Sequence, residues 1–164
     1  MKMGLSSLLL LASLGAFASA SEAQAKPDFS GTWIFSAQKS ALKVPPPTSM
    51  TLQIEQKDPQ ISFARKQIYG DQNFDWKLDT VTDGQKEVVQ DAPGYTTHSR
   101  VSWQGNAILV DTEIIASDGT KVTDQVTYTL IDGGKTLEAV ERQTTVGGKG
   151  SSTNKWVYEK KAAQ

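Results

Sequence analysis

Two charged side chains stand where the pattern around them asks for apolar ones. Between Gln60 and Ile68 the residues Ile61 and Phe63 set a two-residue apolar period, and Arg65 and Gln67 continue it. Between Thr136 and Thr144 the period set by Leu137 and Ala139 runs on to Glu141. A charge taken out of water costs several kcal/mol unless an opposite charge or a ligand group meets it. Three readings of Arg65 follow. It pairs with Glu141, or it reaches the rim and snorkels its head into water, or it meets a carboxylate or other anionic ligand head. The large aromatics share that face: Trp33, Phe35, Phe63, Phe74, Trp76, Trp103, Tyr128, Trp156 and Tyr158 all fall on inward positions. They either fill a core or line an apolar cavity. For a ligand site, Trp33, Phe63, Trp76, Trp103 and Tyr128 are the expected wall, with Arg65 and Glu141 as the polar groups that orient the guest.

The other chemistry-bearing residues point away from catalysis. The chain has no cysteine and one histidine. That excludes disulfides, thiolate metal sites, a cysteine nucleophile and any scheme that needs two histidines. His98 sits opposite the face of Tyr95, Thr97, Ser99, Val101 and Trp103, so it points outward with Arg100. Asp111 and Glu113 share one strand face, a spacing that suits acid–base work or a hard cation. The cleaner apolar face of that segment, however, is Ile108, Val110, Thr112 and Ile114, which sends both acids to solvent. Asp75 and Asp79, flanking Lys77, read the same way. No Gly-x-Ser-x-Gly elbow is present, and Gly147-Gly148-Lys149-Gly150 lacks the spacing of a phosphate loop. No enzyme activity, metal or cofactor is expected.

Strands must position these residues. Phe74, Trp76 and Leu78 alternate with Asn73, Asp75, Lys77 and Asp79, which a strand sorts onto two faces and a helix would scatter. The same alternation recurs in Leu52/Ile54, in Ile108 to Ile114 and in Val126, Tyr128 and Leu130. Turn signals separate the segments: Asp58-Pro59, Gly70-Asp71, Asp83-Gly84, Pro93-Gly94, Gly105-Asn106, Asp118-Gly119 and Asp132-Gly133-Gly134. Strands are expected near 31–37, 50–56, 60–68, 73–80, 86–90, 95–103, 107–115, 121–131, 136–144 and 151–159. A short helical turn fits Ala37 to Leu42, ending before Pro45-Pro46-Pro47. Short connections make neighbours antiparallel, and closure into an up-and-down barrel removes the two exposed edges that an open sandwich would leave.

Composition bounds the rest. Of the 164 residues, the first 20 form a leader: Lys2, an apolar run from Leu5 to Phe17, and the small-x-small site Ala18-Ser19-Ala20. That is the signature of a cleaved secretory signal, with Ala25 as a second possible cut, and the run is too short to span a bilayer. Residues 21–28 are a polar lead and 29–160 a single domain. The 17 Lys and Arg, one of them Lys2, stand against 18 Asp and Glu, a balance that argues against nucleic-acid binding. No other segment is long and apolar enough to be a membrane helix.

Ser30-Gly31-Thr32-Trp33 resembles the Gly-x-Trp opening of the lipocalins and of the avidin-type barrels, both of the calycin group. With Ala37-Gln38-Lys39-Ser40, Thr51-Leu52-Gln53-Ile54-Glu55-Gln56, Asp132-Gly133-Gly134-Lys135-Thr136-Leu137 and Val157-Tyr158-Glu159-Lys160, the series is similar to small exported lipocalin-like bacterial proteins. The resemblance implies an all-β, up-and-down barrel of eight to ten strands in the periplasm or outside the cell. It also implies an Arg against the opening Trp, for which Arg142 is the candidate by position. Thr82-Asp83-Gly84 and Thr123-Asp124-Gln125 match the lipocalin Thr-Asp-Tyr motif in part, and no biotin-binding residues carry over. The expected role is non-catalytic binding of a small, mostly hydrophobic molecule in the interior. The alternative is an envelope interaction or structural module with a packed, ligand-free barrel.

Overall fold

A two-residue side-chain period puts one face of every segment in the same place only if the segments share a sheet, and they do. The computed structural model describes residues 25–148 and 150–162; the proposed leader lies outside them. The described residues form ten strands: β1 (Gly31–Phe35), β2 (Ser49–Lys57), β3 (Gln60–Tyr69), β4 (Gln72–Val81), β5 (Val88–Ala92), β6 (Tyr95–Gln104), β7 (Ala107–Ala116), β8 (Lys121–Ile131), β9 (Thr136–Thr145) and β10 (Ser151–Lys160). All pairings are antiparallel, and β1 pairs with both β2 and β10. The sheet therefore curls into an up-and-down barrel whose edges, β4 and β5, face each other across a seam. Closure at the seam is incomplete. The Gln90 side-chain amide donates to the Lys77 carbonyl at 2.8 Å, and near the turn after β4 the Gly84 N–H donates to the Val101 carbonyl at 2.9 Å. With β5 only five residues long, one side-chain bond and the isolated Asp83–Ser102 bridge stand at this seam where a continuous backbone ladder would in a closed barrel.

The two ends differ. At the end carrying the β2–β3 and β6–β7 turns, Phe29 of the lead is buried and its ring lies 5.9 Å from that of Trp103. The Trp33 indole N–H donates to the Phe29 carbonyl at 3.0 Å, and Lys26 donates to the Gly105 carbonyl at 2.9 Å. Behind this plug Trp33, Leu52, Ile54, Phe63, Leu78, Val101, Ile108 and Leu137 are fully buried. At the other end the alternation runs past the packed core. Phe74, on an inward position, is 46% exposed, with its ring edge-on to Tyr69 at 5.9 Å.

Two local expectations are corrected. Residues 37–39 form a turn, not a helix, and Ala41 pairs with Lys155 as an isolated bridge. The Ser40 hydroxyl donates to the Ser36 carbonyl and accepts from the Val157 N–H, so β10 supplies the partners that a helical turn would have supplied internally. Arg142 is exposed, and the cation over Trp33 is Lys160, whose Nζ lies 5.2 Å from the ring. The β1–β10 register sets Lys160 directly opposite Trp33. Gly31 makes the room: its φ is +146°, and a Cβ there would sit 2.7 Å from Lys160 Cε. Gly31→Ala is expected to lower folding stability by about 1–3 kcal/mol, through backbone strain and displacement of Lys160. Lys160→Ala should cost only about 0.5–1 kcal/mol, the worth of an exposed cation–π contact. Denaturant titration of both variants checks the order.

Candidate functional site

Arg65 stands at mid-strand on β3, just beyond the packed half of the barrel. Its guanidinium carbon lies 5.3 Å from the centre of the Trp76 ring, its cross-strand partner on β4, and its Nε is buried with no hydrogen-bond partner. This head faces an interior cavity of about 280 Å³. Trp76, Val110, Ile114, Val126 and Tyr128 give the cavity apolar wall. Tyr95 and Thr97 of β6 and Thr112 of β7 add hydroxyls, and Asp124 of β8 adds a carboxyl. Phe63 backs the wall, stacked on Tyr128 at 5.4 Å and tilted against Trp76 at 6.4 Å. Burial pushes the Tyr128 phenol up to about 12, against the pull of Arg65, so it stays neutral.

Asp124 is the residue that the sequence reading passed over. Val126 and Tyr128 define the inward face of β8, and Asp124 continues it by two residues, the signal that singles out Arg65 on β3. Its Oδ1 is buried and unpartnered. Burial, then the nearby Glu141 charge, pushes its carboxyl up to about 7, against the Arg65 cation and a hydrogen bond with Gln143, with a smaller upward push from Asp111. Among the described residues, no ion pair within 4 Å includes Arg65 or Asp124.

Glu141 lies on the inward face of β9 but turns to β10. It accepts hydrogen bonds from Asn154 Nδ2 at 2.8 Å and Trp156 Nε1 at 3.0 Å, so the Arg65–Glu141 pairing weighed from the pattern does not form. Trp33 and Phe63 are fully buried in the closed half, and Trp103 packs on Phe29 with Lys26 5.0 Å from its ring. The structure thus brings Arg65, Trp76 and Tyr128 to the cavity with Asp124, and sets Trp33, Trp103 and Glu141 apart from it.

The outer face is charged as the alternation requires. His98 Nδ1 lies 3.1 Å from Glu87, which also pairs with Arg100. Asp111 accepts from Gln125 at 3.2 Å and Glu113 from Lys121 at 3.3 Å. Among the described residues, no group of three His, Cys, Asp or Glu side chains could hold a metal ion. Wider depressions of about 460 Å³, beside Lys57 and Lys86, and about 970 Å³, beside Lys135 and Lys161, are more open to solvent than the interior cavity.

No family model matches the chain, and no curated protein matches it in sequence. Solved structures do match. Secretory abundant heat soluble protein 4 of Ramazzottius varieornatus is 16% identical with a TM-score of 0.55, over 85% of this chain and 99% of that one. A second secretory abundant heat soluble protein of that organism is 15% identical with a TM-score of 0.54, over 80% and 94%. The fluorescent protein UnaG is 18% identical with a TM-score of 0.54, over 81% and 97%. At these identities the likeness establishes the fold, an antiparallel up-and-down β-barrel, and nothing of the chemistry.

The raised Asp124 value has a thermodynamic consequence with a definite sign. The folded protein holds this proton more tightly than the unfolded chain, whose carboxyl titrates near 3.8, so stability falls as pH rises from about 4 to 7. Asp124→Asn is expected to leave the melting temperature nearly unchanged at pH 4 and to raise it at pH 8, as scanning calorimetry would show. Glu141→Ala should cost about 1–3 kcal/mol, because Asn154, 2% exposed, loses its acceptor.

Proposed function

We propose that this protein is a non-catalytic binding barrel that takes a small, mostly apolar molecule into its interior, with the polar end against Arg65. One observation carries the reading: a half-buried Arg65, whose Nε is buried and unpaired, lies against a cavity otherwise walled by Trp76, Val110, Ile114, Val126 and Tyr128. A buried donor without a partner costs about 1–3 kcal/mol, and a guest with an acceptor at one end removes that penalty while its body leaves water. At about 280 Å³ the cavity sits at the small end of ligand pockets, which run from about 300 to 1,000 Å³. A short chain or one or two rings fit it. The Ramazzottius and UnaG barrels support the architecture of this reading, and the chemistry rests on Arg65 and its cavity.

The reading includes export: the charge, apolar run and small-residue site of residues 1–20 support removal of a leader and a periplasmic or extracellular location. Mass spectrometry of the protein from its native source should find an N-terminus at Ser21 or Lys26, and an uncleaved Met1 would overturn this part.

Trp76 provides the binding signal. Titration with short- and medium-chain fatty acids and one- or two-ring apolar dyes should shift its emission, and Arg65→Ala should weaken binding of acceptor-headed ligands about 10- to 100-fold. A packed interaction module is the second reading, favoured by the complete burial of Trp33, Leu52, Ile54 and Phe63. It is selected if no compound alters the emission and Arg65→Ala is indistinguishable from wild type.

A further inference from the structure

Resting on that interior-site reading, we propose that the barrel is a proton-coupled binder of amphipathic anions: an anionic head enters beside Arg65 only with a proton taken up at Asp124, so affinity rises as pH falls.

The geometry sets the requirement. β3 and β8 are separated along the sheet by β2, β1, β10 and β9, so Arg65 and Asp124 approach one cavity from opposite walls. Where the cavity ends against the packed half, the two walls meet in the 5.4 Å stack of Phe63 on Tyr128. Each residue keeps one buried atom without a partner, Nε on Arg65 and Oδ1 on Asp124. As a carboxylate, Asp124 offers an incoming anion only repulsion, and the Glu141 carboxylate behind it on β9 adds more. Once protonated, Asp124 becomes an O–H donor. Arg65 and Asp124 then both donate to the oxygens of one anionic head, and both unpartnered groups are satisfied. The proton comes from solvent on binding and returns to solvent on release, so no other reactant is needed.

Few charged groups surround Asp124. Its neighbours in the ladder are uncharged, Thr112 on β7 and Gln143 on β9. The charged groups bearing on it are Arg65 across the cavity, Glu141 on β9 and Asp111 on β7. Tyr128 on its own strand is held neutral by burial, and β6 contributes Tyr95 and Thr97 to the cavity. Burial and Glu141 together lift the Asp124 carboxyl to about 7, so modest acidification changes the population able to accept an anion.

The test uses naphthalene-2-sulfonate, a two-ring anion whose sulfonate stays ionised across the range, so that any pH dependence belongs to the protein. Its fluorescence is titrated at pH 5.5, 7.0 and 8.5 at fixed ionic strength. Wild type is expected to bind about 30-fold more weakly at pH 8.5 than at pH 5.5, because only the protonated fraction is competent. Asp124→Asn, with an amide N–H in place of the acid proton, should bind tightly at all three values. His98→Gln, altered on the outer face, should keep the wild-type slope. Thr112→Trp, which fills the cavity, should abolish binding. Calorimetry in buffers of different ionisation enthalpy should report uptake of nearly one proton at pH 8, a measurement on wild type alone that stands if a variant does not fold. Equal wild-type affinity at pH 5.5 and 8.5, or an unchanged slope in Asp124→Asn, overturns the proton coupling and leaves interior binding standing. Absence of binding at every pH, or binding that survives Thr112→Trp, overturns interior binding itself.

Discussion

The pairing of β1 with β10 is the constraint on which the rest of this structure depends. The meanders β1–β4 and β5–β10 each have an apolar face whatever their curvature, but only when β1 and β10 join them into one curled sheet do those faces share an inside. The register of the pairing, Trp33 opposite Lys160, also decides what covers the opening tryptophan. Gly31, with its positive φ and missing Cβ, allows the lysine to lie there. The Gly-Thr-Trp opening thus has a mechanical meaning in this chain: a close approach, a cation over a ring, and an indole N–H tied to the Phe29 carbonyl.

Closure gives an inside, and side-chain volume divides it. In the half plugged by Phe29, large apolar residues from opposite walls meet and exclude water. In the other half the walls carry Thr97, Thr112, Asp124 and Arg65, which are too small or too polar to fill the space between them. That leaves a cavity, and it leaves charged groups in a medium that solvates them poorly. The raised Asp124 titration and the unpaired Arg65 Nε are two readings of one cause, an interior that is dry enough to be costly for charge and not filled by its own side chains. Glu141 escapes by turning to Asn154 and Trp156 within the sheet. Arg65 Nε and Asp124 Oδ1 find no such partner and stay directed at the cavity.

The strands were legible because β-structure writes its period into the chain: Phe74-Asp75-Trp76-Lys77-Leu78 sorts itself without reference to anything distant. Inward parity was legible for the same reason, and it named Arg65. That Arg65 does not pair with Glu141 was not legible, because parity gives the face on which a side chain lies and not its height in the barrel or its distance across it. Asp124 carries the same signal as Arg65, since it continues the inward face of Val126 and Tyr128 by two residues. Phe74 shows the limit from the other side: its parity is inward, yet it sits past the end of the packed core and is half exposed. Lys160 in place of Arg142 over Trp33 needed the β1–β10 register, a relation between residues more than a hundred positions apart.

The chain by itself determined an all-β, antiparallel fold with a charged exterior and a mixed interior, because side-chain alternation and turn chemistry are local properties that any ten consecutive residues reveal. It favoured a barrel over an open sandwich, and closure came from the β1–β10 pairing. Tertiary structure decided which interior residues are core and which are site. Phe63 and Arg65 lie two positions apart on one face of one strand; the first meets Tyr128 across the barrel and is sealed, and the second meets open space. What separates them is the gap between opposite walls, a distance set by all ten strands together and written in none of them.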